Sequence, residues 1–196
     1  MSTDLHNFLR TRRSIRRFKP NPVPAPVIER ILETATCAPS AHNLQPWRFC
    51  VVTTSVVKTR LAQALTNKMR EDMGKEGVPQ SEINLRAERS QHRLDEAPVV
   101  ILICRDVTAI RKDEQEEISM SIQSVAAAGL QLLLAAHAEG LGGNWICWPL
   151  YAQEAARAAL DLPDTWEPQA MFFLGYADGK PKEKVLKPLE EVMLFI

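Results

Sequence analysis

Apolar positions along the chain follow two spacings. Phe49 to Thr53, Pro98 to Cys104 (PVVILIC) and Gln169 to Tyr176 (QAMFFLGY) are short, rich in β-branched and aromatic residues, and bounded by turn or proline positions. They predict strands. A fourth strand, or a loop leading from one, is expected over Asn144 to Trp148, after Gly140 and Gly142-Gly143. Helical spacing appears over Asp4 to Arg10, where Ser2 or Thr3 can cap. It recurs at Val27, Ile28, Ile31, Leu32 and Ala35, behind Pro26 in a first turn and limited by Pro39. Further helices are expected from a capping Ser55 towards Met69, from near Asp113, and over Ala152 to Leu160. Lys19 to Pro24 holds too many prolines for either element, and Ser40 to Pro46 reads as a second loop. Strands separated by helices predict an α+β or α/β sandwich.

Two stretches depart from this pattern. Arg70 to Arg93 is strongly charged and contains Gly74, Gly77 and Pro79, which predicts a mobile helical excursion with an exposed face. Ile118 to Ala138 contains no charged residue. That length invites a membrane span. Ser119, Ser121, Gln123, Ser124, Gln131 and His137 are spread through it, however, and alanine predominates, so a buried helix of a soluble protein is the better reading. A helix apolar on nearly every face needs cover on nearly every side. One chain of this size supplies that with difficulty, which predicts a homodimer with this helix near the two-fold axis. The alternative is a monomer whose sheet wraps the helix. The apolar end, Val192 to Ile196, is expected to dock on its own sheet or the partner's.

The chain has 196 residues, matching one compact domain over 1–196, with the excursion at about 66–93 as a lid. Lys plus Arg (24) balance Asp plus Glu (24), which argues against a dedicated nucleic-acid or acidic-membrane binder. Cys37, Cys50, Cys104 and Cys147 form no C-x-x-C pair, so neither a zinc site nor a disulfide framework is suggested. The N-terminal segment has no signal-peptide pattern, and a cytoplasmic home is expected.

Three clusters could carry chemistry. Arg12, Arg13, Arg16 and Arg17 surround Ser14, and guanidinium forks with a hydroxyl suit a phosphate monoester. A solvated basic loop and an RNA-binding arm are the alternatives. Ala38 to Phe49 (APSAHNLQPWRF) gathers a hydroxyl, an imidazole, carboxamides and an indole in a proline-framed loop. Its amides can read a heterocycle edge or satisfy their own backbone. Gly140 to Trp148 (GLGGNWICW) permits close backbone approach, but lacks dinucleotide spacing; its tryptophans serve core or pocket wall equally well. No hydrolase elbow or metal spacing occurs. A Cys37–His42 dyad is conceivable, and Cys50 and Cys104 read as core residues of strands. The lack of an acid, base or nucleophile constellation fits chemistry done by a bound cofactor.

In order, RRSIRRF (Arg12 to Phe18), APSAHNLQPWRF, GLGGNW (Gly140 to Trp145) and KPLEEV (Lys187 to Val192) resemble the nitroreductase family across essentially the whole chain. The resemblance implies a three-layer α+β sandwich (α/β/α) forming an intertwined homodimer, with two FMN molecules at the interface. It implies that Arg12, Arg13, Ser14 and Arg16 hold the phosphate, ribityl chain and ring edge. Pro39, Ser40 and Asn43 match the loop given by the other subunit, and Trp145 and Ile146 match the segment beside the ring. Leu186 occupies the usual position of a tail arginine, so Lys184 or Lys187 is the expected substitute. The implied activity is hydride transfer from NADH or NADPH through flavin to a small electron-poor acceptor in a ping-pong cycle. Nucleic acid and membrane are not implied partners. The middle of the chain resembles the flavin domain of the deazaflavin-coenzyme ligase, without its ligase half. Dimethylbenzimidazole synthesis and a non-catalytic flavin module are the other readings.

Overall fold

The computed structural model describes residues 2–181 and 183–196. The helices are α1 (Ser2–Thr11), α2 (Ala25–Thr36), α3 (Ser55–Lys75), α4 (Gln80–Glu96), α5 (Gln115–Ala138) and α6 (Gln153–Ala159). The strands are β1 (Trp47–Val52), β2 (Val99–Asp106), β3 (Gly142–Ile146) and β4 (Trp166–Gly175). They form one antiparallel sheet in the order β1-β2-β4-β3. The side chains of Ser2 and Thr3, expected as caps of α1, lie outside the described residues.

Alternation along the strands builds two cores. Val99, Ile101 and Ile103 of β2, with Ala170, Phe172 and Leu174 of β4, pack under α2 and α5. Val100, Leu102 and Cys104, with Met171 and Phe173, pack under α3, α6 and Leu94 of α4. The result is an α/β/α sandwich. Because both faces of β2 are covered, PVVILIC reads as an unbroken apolar run instead of an alternating one. The Cys104 thiol, buried there, is pushed up to about 12 by burial, with Cys50 adding to the shift.

α5 lies against the sheet and α2, which accounts for its apolar composition. Its length and hydropathy would suffice to cross a membrane. It approaches β3 and β4 closely at Gly129, where an added Cβ would sit 2.8 Å from both Phe172 and Trp145. The sheet does not wrap the helix, contrary to the monomer alternative. Along one four-residue ridge, Ile122 is 40% and Leu130 52% exposed, with Ala126 and Leu134 half-buried.

Three expectations are corrected. Ser55 is the first residue of α3, preceded by Thr54, so it does not cap it. Arg70 to Arg93 is not loose. Leu61, Leu65 and Met73 of α3 and Ile83, Ala87 and Leu94 of α4 are buried, and the two helices pack as a hairpin turned near Gly77, at φ 75°. Its charges hid that apolar stripe. The C-terminal run does not dock on its own sheet: Val192, Leu194, Phe195 and Ile196 are all exposed.

Candidate functional site

After α1 the chain runs along the free edge of the sheet. Ser14 bridges Gly143 in parallel, and the Ile15 amide donates to the Gly143 carbonyl at 3.0 Å. Phe18 then bridges Ala177, and the Lys19 amide donates to Tyr176 at 2.9 Å. Gly142 makes this approach feasible, because a Cβ there would lie 2.6 Å from Ile15 Cγ1. The glycine turn and the arginine segment are therefore one structural unit.

Three hollows line this unit. The first, about 260 Å³, is bordered by Arg12, Arg13, Ile15, His137, Gly142 and Gly143. A second, about 120 Å³, is bordered by Ser14, Arg16, Arg17 and Lys180. The third, about 180 Å³, is bordered by Arg16, Asn144, Trp145 and Ile146. Lys180 is absent from the residues expected from sequence; only its position three residues past the Phe18–Ala177 bridge signals it. Among the described residues, Arg12, Arg16 and Arg17 form no ion pair, leaving their charge available to an anion. Arg13 differs: its Nη1 donates to the carbonyls of Arg10 and, at 2.9 Å, Arg12, closing the end of α1. His137 stacks on Phe8 at 4.9 Å and lies 3.2 Å from Thr11 Oγ1. Burial holds its pKa below the usual histidine value, and the neighbouring Arg12 charge lowers it further.

Asn144 is buried, and its Oδ1 has no hydrogen-bond partner. Buried polar atoms rarely stay unpaired, so this carboxamide is suited to a ligand's polar edge. Trp145 meets Phe172 edge-on at 4.9 Å and remains 37% exposed. It is thus both core and wall.

The Ser40–Pro46 loop is built elsewhere. The Ala41 amide donates to Ser124 Oγ at 3.1 Å, on α5. Ser124 precedes Leu133, beside the arginine hollow, by nine residues, or ~13 Å of helix. Pro39, Ser40 and Asn43 border none of the three hollows beside the arginine segment. The loop is tightly held. His42, Asn43 and Gln45 adopt positive φ of 51°, 56° and 49°. The Gln45 amide donates to Ser40 Oγ at 3.1 Å, and Gln45 Nε2 donates to Asn43 Oδ1 at 3.2 Å. Arg48 donates to the Gln45 carbonyl at 3.1 Å and to Asp106 Oδ2 at 2.8 Å. His42 lies 3.8 Å from Glu117, a buried carboxylate held below its ordinary range by hydrogen bonds from Arg111. Three left-handed residues are thus held in place by side-chain hydrogen bonds. Asn43 keeps its amide donors free and exposed.

Lys184 and Lys187 lie on the exposed tail and border none of these three hollows. The Cys37–His42 dyad does not assemble: Cys37 Sγ turns back to the Glu33 carbonyl at 3.6 Å, while His42 faces Glu117.

Residues 9–176 match the nitroreductase family. The chain belongs to that family. A relative named NADH dehydrogenase, from Thermus thermophilus, is 30% identical, covering 94% of this chain and 92% of its own. Among solved structures, a BluB-like flavoprotein from Clostridium difficile is 25% identical, with a TM-score of 0.82 and 98% of each chain covered. A nitroreductase-type protein from Desulfovibrio desulfuricans in complex with FMN is 26% identical, with a TM-score of 0.76, covering 98% of this chain and 96% of that one. Within the family, the row of hollows beside the arginine segment is the natural candidate for a flavin site, and its residues fit one. Unpaired guanidiniums suit a phosphate, and the orphaned Asn144 carbonyl suits an N–H of a pyrimidine ring.

Proposed function

We propose that this nitroreductase-family chain is an FMN-dependent oxidoreductase, working as a homodimer with NADH or NADPH as donor and an electron-poor small molecule as acceptor, in a ping-pong cycle. When bound, FMN supplies the two-electron chemistry. The chain supplies position and charge. Arg12 and Ser14 hold the phosphate, with Lys180 beside them and Lys184 or Lys187 of the tail adding a last cation. Asn144 orients the pyrimidine edge, and Trp145 and Ile146 border the ring. Arg16, whose guanidinium is unpaired, favours negative charge on the reduced ring. Arg13 positions Arg12 by closing α1. Pro39, Ser40 and Asn43 act on the partner's flavin, since in their own chain they border none of the hollows beside Arg12 and Arg16. The observation that carries this reading is the buried Asn144 carbonyl without a partner, on the same edge as three uncommitted arginines.

Freshly purified protein is expected to be yellow and to release FMN on denaturation. Arg12→Ala should weaken FMN affinity by roughly 10–100-fold, the value of a charge-assisted hydrogen bond. Undiminished FMN occupancy in Arg12→Ala at limiting flavin would remove the phosphate role. The likeness to a BluB-like flavoprotein supports a second reading, a flavin-consuming step in coenzyme synthesis. In that case FMN disappears during turnover; in the main reading it is recovered intact.

A further inference from the structure

A cavity of about 480 Å³ lies under the α3–α4 hairpin and is not part of the row of hollows described above. Its volume is that of an ordinary small-molecule site. It adjoins the Asn144–Trp145 hollow, because Ser90, Arg93 and Trp148 border both. One wall is cationic. Arg86, Arg89 and Arg93 recur at the three- and four-residue spacing that puts them on one face of α4. Arg86 is paired with Glu82, and Lys68 with Asp72. Among the described residues Arg89 and Arg93 have no carboxylate within ion-pair distance. Glu76 is the one acidic group in the lining not already paired with a lysine, so the cavity keeps a positive excess. The facing wall carries Trp148 and Tyr151, flat surfaces for a ring.

We infer that this cavity binds the anionic group of the molecule that exchanges hydride beside Asn144 and Trp145, with Arg89 and Arg93 as its specificity-determining residues. The inference rests on the flavin reading for the identity of the reacting neighbour. The ligand class is a planar aromatic electrophile bearing a carboxylate or phosphate; the diphosphate of a nicotinamide cofactor offers the same chemistry from the donor side. Arginine forks on an aromatic-walled cavity recognise that combination of plane and charge better than either feature alone.

The test is calorimetric titration of purified protein, flavin-loaded and flavin-stripped, with 4-nitrobenzoate, with the neutral 4-nitrobenzamide, and with NAD+. Wild type is expected to bind 4-nitrobenzoate at least tenfold more tightly than the amide. Arg89→Gln/Arg93→Gln should abolish that preference, and Arg89→Lys/Arg93→Lys should keep most of it. Both arginines are exposed and form no ion pairs, so the variants keep the fold, which circular dichroism checks. Loss of NAD+ affinity alone in the Gln variant, with benzoate and amide bound equally, assigns the anion to the donor and supports the same pocket. Equal binding of all three probes by wild type and variant overturns the inference. FMN content of the same samples separates the two readings. Normal FMN with neither 4-nitrobenzoate nor NAD+ bound in an arginine-dependent way defeats the cavity alone, whereas arginine-dependent anion binding by a protein that takes up no FMN defeats the flavin reading alone.

Discussion

Leu130→Glu is expected to give a folded monomer that does not retain flavin. Ile122, Ala126, Leu130 and Leu134 form a four-residue ridge on α5 that the chain leaves uncovered, and Leu130 is half exposed. Ridges of this spacing pack into a neighbouring helix's grooves. In the homodimer proposed above, a second copy of α5 would cover this ridge, and because the Ser40–Pro46 loop is fastened to α5 through Ser124, the same pairing would carry Pro39, Ser40 and Asn43 of one chain towards Arg12 and Arg16 of the other. A glutamate at position 130 places a carboxylate in that seam twice, a desolvation cost of several kcal/mol with no partner to offset it. The single chain loses no core contact, so circular dichroism should be unchanged. Sedimentation velocity should show a monomer, and bound FMN should fall below a tenth of wild type. A dimeric, flavin-saturated Leu130→Glu protein would contradict this seam.

Gly142→Val is expected to lower FMN affinity by at least tenfold by displacing Ile15 and the arginine segment it anchors. The new Cβ falls 2.6 to 2.8 Å from three atoms of Ile15, and those atoms belong to a β-branched side chain close to its own backbone. Ile15 must withdraw, breaking its 3.0 Å bond to Gly143 and shifting Arg12, Ser14 and Arg16 off the sheet edge. Overpacking of this kind costs ~1–3 kcal/mol in stability as well. Adding Ile15→Ala makes room, so the double variant should regain much of the lost FMN affinity. Failure of that rescue would show that the glycine and the arginine segment are not mechanically joined.

Much of the sheet was legible because its strands are covered on both faces and read as apolar runs. PVVILIC falls within two residues of β2 at each end, and QAMFFLGY misses the first three residues of β4 and overruns its end by one. The excursion was misread for the opposite reason: its buried residues are spaced singly among Arg, Glu and Asp, so charge density masked a packed helical hairpin. The charge-free stretch of α5 reads as a core helix, and it packs on the sheet and α2 while leaving Ile122 and Leu130 exposed. The arginines, Asn43 and Trp145 are proposed site residues that motif order alone names. It does not name Lys180, because only the pairing of Phe18 with Ala177 brings that part of the tail beside Ser14. The unpaired state of the Asn144 carbonyl was equally invisible, being a property of three-dimensional burial. That Arg13 serves α1 more than an anion follows from the helix end reaching Thr11.

The central claim, that each flavin is held by the arginine edge of one chain and the Asn43 loop of its partner, is tested most directly by subunit mixing. Arg12→Ala/Arg16→Ala chains and Asn43→Ala/Ser40→Ala chains are each expected to bind little FMN alone. Unfolded, mixed in equal amounts and refolded, half the dimers carry one chain of each kind, and one of their two sites has both intact halves, so FMN binding should return to about a quarter of wild type. Recovery near that level, at wild-type affinity, is the predicted result. Binding no greater than the average of the two variants would place the loop and the arginines in the same subunit's site, or in no common site, and the account would fail.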